Sequence, residues 1–122
     1  MSRKVLTVDD SATIRQALNV ALAGAGYEVV EATDGIDALR KLAVDKVDMV
    51  VTDLNMPNMN GVDLIREIRN RPGNRFTPIV MLTTESEHKK KQEGKAAGAS
   101  GWIVKPFRPE QLLSVVKMVC PA

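Results

Sequence analysis

Met49-Val50-Val51-Thr52-Asp53-Leu54-Asn55-Met56-Pro57-Asn58-Met59-Asn60-Gly61 is the stretch on which the reading of this chain turns. Three consecutive apolar residues lead into a hydroxyl and a carboxylate, and a run rich in Asn, Pro and Gly follows. A short apolar run without polar alternation reads as a strand covered on both faces. The residues after it are those that make turns. Val5–Val8 runs into Asp9 and Asp10, Ile79–Leu82 into Thr83 and Thr84, and Trp102–Val104 into Lys105. Val29–Val30 supplies a fifth apolar pair.

Segments of helical period separate these runs. Ile14, Leu18, Ala21, Leu22 and Ala25 form one stripe, which Gly26 can stop at the C′ position. Leu39, Leu42 and Ala43 form a second, Leu64, Ile65 and Ile68 a third, and Leu112, Val116 and Val119 the last, behind Pro109 at a helix start. Glu87–Ala97 is the weakest helix, because Lys89, Lys90 and Lys91 crowd it and Gly94 interrupts it. Alternating strands and helices imply an α/β fold, an open five-stranded parallel sheet with helices on both faces. Periodicity alone does not order the strands.

At 122 residues the chain reads as one domain, 1–122, without a linker or second domain. Seventeen basic residues against 15 acidic ones give a net charge of +2, too small an excess to predict nucleic-acid binding. Two Phe, one Tyr and one Trp offer no stacking platform for bases. Cys120 is the only cysteine, which fits a reducing cytoplasm. The apolar stretch behind Arg3 and Lys4 is too short for a signal peptide, and no membrane-spanning run occurs. We therefore expect a cytoplasmic protein that binds neither nucleic acid nor membrane.

The polar residues collect at one place in this pattern. Open α/β sheets bind ligands beyond the carboxyl ends of their strands. Here four strand ends bring Asp9 and Asp10, Asp53, Thr83 and Lys105 to that edge. Taken singly, each has a plain structural reading. An Asp after a strand can cap the next helix, yet Ser11 already offers a cap. Asp53 can open a turn, Thr83 can cap a helix, and Lys105 can be a surface lysine. Together those readings require four coincidences at one edge, so the functional reading prevails.

Carboxylates about 4 Å apart repel by roughly 4 kcal/mol per pair at an effective dielectric near 20. Asp9, Asp10 and Asp53 would then shift their pKa values upward or hold a cation. An oxygen-only donor set, with no Cys/His cluster, favours Mg²⁺ over Zn²⁺. Lys105 can neutralise a phosphoryl oxygen and Thr83 can hydrogen-bond another, leaving Asp53 as the nucleophile. Gly24-Ala25-Gly26 precedes a strand and lacks the third glycine of a dinucleotide loop, and no P-loop motif occurs. His88, the single histidine, reads as solvated, and so does the Lys89–Lys91 run.

Val8-Asp9-Asp10-Ser11, Thr52-Asp53-Leu54-Asn55-Met56-Pro57 with Gly61, Met81-Leu82-Thr83 and Lys105-Pro106-Phe107 occur in order across essentially the whole chain. With these motifs the chain resembles the receiver domains of two-component response regulators. Asn55-Met56-Pro57-Asn58-Met59 and Gly98-Ala99-Ser100-Gly101 look most like the stand-alone chemotaxis regulators among them. The resemblance implies a flavodoxin-like sheet of order 2-1-3-4-5 and phosphorylation at Asp53 by a histidine kinase. It implies Mg²⁺ on Asp10, Asp53 and the Asn55 carbonyl, with Asp9 assisting through water. Thr83 and Lys105 would hold the phosphoryl group, Asn55 and Glu85 would tune dephosphorylation, and Lys105-Pro106 would be a cis peptide. The switch position, usually Tyr or Phe, is Trp102, and Thr84 adds bulk beside it.

The expected protein is thus a monomeric signalling module and not an enzyme in its own right, though it catalyses its own phosphorylation and dephosphorylation. With no output domain expected after the fifth helix, output would pass to a protein target, a flagellar motor switch protein or another phospho-dependent partner. The fourth helix, fifth strand and fifth helix would carry that contact. A stand-alone receiver in a phosphorelay is one alternative. A small Mg²⁺-dependent phosphatase with an aspartyl nucleophile is another, but the haloacid-dehalogenase type would need Asp-x-Asp where Asp9-Asp10-Ser11 stands.

Overall fold

A computed structural model describes residues 2–84 and 86–122. The elements alternate as expected: β1 (Lys4–Val8), α1 (Ala12–Gly24), β2 (Glu28–Ala32), α2 (Gly35–Val44), β3 (Met49–Asp53), α3 (Gly61–Arg69), β4 (Ile79–Thr83), α4 (His88–Ala97), β5 (Gly101–Val104) and α5 (Pro109–Val119). A single 3₁₀ turn at Pro72–Asn74 precedes β4. All strand pairs are parallel, and the order is β2-β1-β3-β4-β5, the flavodoxin-like arrangement. Several strands run a residue or two beyond their apolar cores. Asp53 and Thr83 are therefore the last residues of β3 and β4, anchored in the ladder rather than in loops.

Alternation within each strand divides the core in two. Leu6, Val50, Ile79 and Met81 face one layer with Leu64, Ile65 and Ile68 of α3 and Ala38 of α2. Val5, Met49, Val51, Val80 and Leu82 face the other, with Leu18 and Leu22 of α1 and Leu112 and Val116 of α5. Strands without polar alternation are the consequence, since each successive side chain finds an apolar layer. A buried Leu or Ile contributes about 1.5–3 kcal/mol relative to exposure, so both layers are needed.

Helix ends follow the local chemistry. The Ser11 hydroxyl accepts from the Ile14 N–H at 3.3 Å, capping α1. Gly26 lies just past its end at φ +97°, where a side chain would be strained. Asp34 and Asn60 cap α2 and α3, accepting from Asp37 and Asp63 at 2.8 and 2.9 Å. Pro109 stands at the first turn of α5.

α4 contributes least to the core. Gly94 is buried there, and a Cβ at this position would overlap the sulfur of Met81. The glycine that weakens the helical pattern is thus what lets the helix lie close on β4. Arg69, at the end of α3, secures the far end of α4 by donating to the Gly98 carbonyl from Nε at 3.2 Å and Nη2 at 2.8 Å.

Candidate functional site

At the carboxyl edge of the sheet, β1, β3 and the segment after β5 bring their polar residues together. Asp9, one residue beyond β1, is 1% exposed. Its Oδ1 accepts the Ser11 N–H at 2.9 Å, and its Oδ2 accepts the Lys105 ammonium at 3.1 Å. Lys105 also stands 3.3 Å from Asp53 Oδ1, an oxygen that accepts the Leu54 N–H at 2.9 Å. Asp10 is exposed, and one carboxylate oxygen from each of Asp9, Asp10 and Asp53 lies within 4.8 Å of the others. Three oxygen donors at this spacing, one of them open to solvent, fit a hard divalent cation such as Mg²⁺ that retains part of its water shell.

The electrostatics agree with the geometry. Burial pushes the Asp53 carboxyl above its ordinary value, the Asp9 carboxylate adds to that shift, and the Lys105 ammonium opposes it. Burial also acts to lower Lys105, but the carboxylates of Asp53 and Asp9 outweigh it and leave the ammonium above its usual range. A buried carboxylate held ionised against desolvation gains most from any further positive charge.

Thr83, at the end of β4, is buried, and its Oγ1 has no hydrogen-bond partner. Buried hydroxyls are ordinarily satisfied, so an orphan here marks a group that awaits a partner. A cleft of about 550 Å³ opens above Asp53, lined by Asn55, Thr84, Glu87, Lys89, Lys90 and Lys105.

The loop after β3 is held from several sides. Gly61 packs against the end of β3, and a Cβ there would overlap the Asp53 carbonyl oxygen and stand 2.7 Å from Leu54 Cα. Asn58, at φ 67°, donates from Nδ2 to Asp34 Oδ2 at 2.8 Å, tying the loop to the start of α2. Lys105-Pro106 is cis, as the resemblance implies.

These residues and this topology coincide with a known family. The family model described as the response regulator receiver domain matches residues 5–117. The chain belongs to that family. Among the receivers and regulators it resembles, chemotaxis protein CheY1 of Helicobacter pylori strain 26695 is 39% identical over 118 residues, covering 95% of each chain. The solved structure of chemotaxis response regulator CheY4 of Vibrio cholerae is 50% identical with a TM-score of 0.92, covering 98% of this receiver and 99% of that chain. The receiver domain of sensor histidine kinase PA1611 from Pseudomonas aeruginosa, with a magnesium ion coordinated in its active site cleft, is 25% identical with a TM-score of 0.90 over 100% of both chains.

Of the residues singled out in the sequence, the fold gathers Asp9, Asp10, Asp53 and Lys105 into one cluster, with Thr83 on the adjacent strand end. Asn55 lies at the mouth, exposed, with its side-chain oxygen accepting from Lys90 at 3.3 Å. Trp102 lies apart from the cluster, paired with Met81 across β4 and β5 and 39% exposed. Glu85 lies outside the described residues.

Two groups escaped the sequence reading. Arg15 of α1 donates from Nη1 to the Asp9 carbonyl at 2.7 Å and from Nε to Glu31 at 3.0 Å, bracing the end of β1. The lysine run was read as a solvated face, yet Lys90 bonds Asn55 and Lys91 lies on the indole of Trp102. No local signal reports such contacts, because Asn55 and Trp102 reach α4 only through the sheet order.

Proposed function

We propose that this receiver is a phosphorylation-activated switch in which Asp53 takes a phosphoryl group from a phosphohistidine of a kinase. The observation that carries this reading is one buried carboxylate flanked by an ammonium at 3.3 Å and, on the next strand, by an unpartnered buried hydroxyl. In the transfer, a carboxylate oxygen of Asp53 forms the new P–O bond as the P–N bond to the donor breaks, and the electron pair leaves with the imidazole. Lys105 stands where it can pair with a phosphoryl oxygen, and Thr83 can donate its hydroxyl to another. Asp10, Asp53 and the Asn55 carbonyl would hold Mg²⁺, with Asp9 acting through water. When bound, the ion supplies charge neutralisation at the transferring group. Magnesium in the cleft of the Pseudomonas receiver supports this assignment.

The protein then acts by binding a partner, so catalysis is limited to its own phosphorylation and dephosphorylation, with Asn55 and Glu85 setting the lifetime. We assign it to chemotaxis, as a cytoplasmic monomer acting on a flagellar motor switch protein, because the Helicobacter and Vibrio proteins it resembles are chemotaxis regulators. No helix among the described residues is long and apolar enough to cross a membrane.

The test is intact mass after incubation with acetyl phosphate and Mg²⁺. The wild-type chain should gain one phosphoryl group, and Asp53→Asn, nearly isosteric but a far poorer nucleophile, should gain none. Equal labelling of the variant would move the acceptor elsewhere. Phosphorylation-dependent co-purification with a motor switch protein tests the chemotaxis assignment, and its absence would favour a phosphorelay.

A further inference from the structure

Trp102 is held at the surface by a feature that the phosphorylation site does not require. Lys91 Nζ lies 4.5 Å from the centroid of its ring, and Lys95 Nζ lies 4.7 Å from it. Both are well within the roughly 6 Å over which an ammonium is attracted to an aromatic face. The two lysines are four residues apart on α4, so their charges repel along the helix. Among the described residues, neither takes part in an ion pair. The face of the indole attracts both ammonium groups.

The same face of the sheet offers room into which the ring could turn. Trp102 pairs with Met81 and Val104 pairs with Thr83, so a row of side chains leads from the indole toward the end of β4. There a cavity of about 360 Å³ is lined by Thr83, Thr84, His88, Lys91 and Val104. Val104 is its one apolar side chain among polar neighbours, and Thr83 at its wall carries the unpartnered hydroxyl. An indole offers a large apolar body and a single N–H donor, which a threonine oxygen can accept. Lys91 borders both positions: it lies on the ring outside and lines the cavity inside.

We propose that Lys91 and Lys95 are positioning residues that hold Trp102 outside the cavity beside Thr83 and so set the resting bias of the switch. The proposal rests on the receiver reading above and adds to it the element that opposes activation. A two-state protein shifts only through contacts that differ between its states, and the paired ammonium contacts exist only with the ring outside. At an exposed site each such contact changes the equilibrium by about two- to five-fold, and the two acting independently by about five- to thirty-fold. Engagement of Thr83 by a phosphoryl oxygen would alter the inner position, while the lysines fix how strongly the outer one competes.

Trp102 is the only tryptophan, so its fluorescence reports the ring directly. The experiment compares acrylamide quenching in wild type, K91Q/K95Q and K91R/K95R without a phosphodonor. The glutamine variant should be quenched less than wild type and should approach wild type loaded with beryllofluoride. The arginine variant, which keeps cations over the ring, should match unloaded wild type. Quenching unchanged or increased in the glutamine variant would overturn the proposal, as would an arginine variant resembling it. In wild-type protein, NMR should find the ε-methylene protons of Lys91 and Lys95 shifted upfield by the ring. Random-coil positions for both would also overturn it. Labelling of each variant by acetyl phosphate, read by intact mass, separates the two readings. Normal labelling with unaltered quenching sinks the clamp alone, and failure to label the wild type sinks the receiver reading itself.

Discussion

Replacing Lys105 by Met tests how the acidic cluster is kept in the fold. The ammonium stands 3.1 Å from Asp9 and 3.3 Å from Asp53, with both carboxylates buried. At an effective dielectric near 20, each attraction amounts to about 5 kcal/mol. The carboxylate oxygens, within 4.8 Å of one another, repel by about 3.5 kcal/mol per pair on the same scale. Two attractions therefore offset nearly three repulsions, and Met leaves the repulsions standing while conserving the apolar stem. Protonation of Asp53, whose carboxyl is already raised by burial, relieves part of the excess. The net cost should be about 3–5 kcal/mol, the usual result of leaving a buried charge unpaired.

Under the proposed function Mg²⁺ would be the second countercharge for this cluster, so it should restore much of what the substitution removes. Binding to the folded state alone stabilises by RT ln(1 + [L]/Kd), about 2.7 kcal/mol at a hundred times Kd. Urea unfolding of wild type and Lys105→Met, each with and without millimolar Mg²⁺, gives the four free energies required. The stabilisation by Mg²⁺ should be larger in the variant than in wild type. Equal stabilisation of both proteins, or a variant within about 0.5 kcal/mol of wild type without metal, the range of an ordinary surface change, would refute the account.

Gly61→Ala should destabilise by about 1–3 kcal/mol and diminish the Mg²⁺ effect, because the new methyl meets backbone atoms of Asp53 and Leu54 that cannot yield cheaply. Gly24→Ala, where a Cβ meets nothing within 4 Å, is the control and should be neutral or stabilising in the same denaturation assay. Tyr27 is the only tyrosine and donates its buried hydroxyl to the Cys120 carbonyl at 2.7 Å. Burial raises its pKa, so the unfolded chain ionises first: stability is intact below about pH 10 and falls as pH climbs from there through the folded value. Absorbance titration near 295 nm should show the delayed ionisation, and Tyr27→Phe should lose about 1 kcal/mol at neutral pH along with that part of the alkaline decline.

Much of the site was legible from residue order alone. Asp9, Asp10, Asp53, Thr83 and Lys105 each follow an apolar run, and in a parallel α/β sheet every strand ends at the same edge. Four such endings therefore converge whatever the detailed packing. Ser11, Gly26 and Pro109 were equally plain, because caps and helix stops are decided within a few residues. The charged helix was harder. Gly94 reads as a weakness in α4, and only its approach to Met81 shows why a side chain there would not fit.

What the sequence determined by itself was the alternation of elements, the edge at which the polar residues collect and which residue types gather there, all set by local periodicity and chain direction. Tertiary structure alone decided the partners. Arg15 beneath Asp9, Lys90 on Asn55, and Lys91 and Lys95 on Trp102 join residues from different elements. Those pairings depend on strand order and on how each helix is rotated against the sheet. Both arise from burying two apolar layers at once, a condition on the whole chain that no short window of sequence contains.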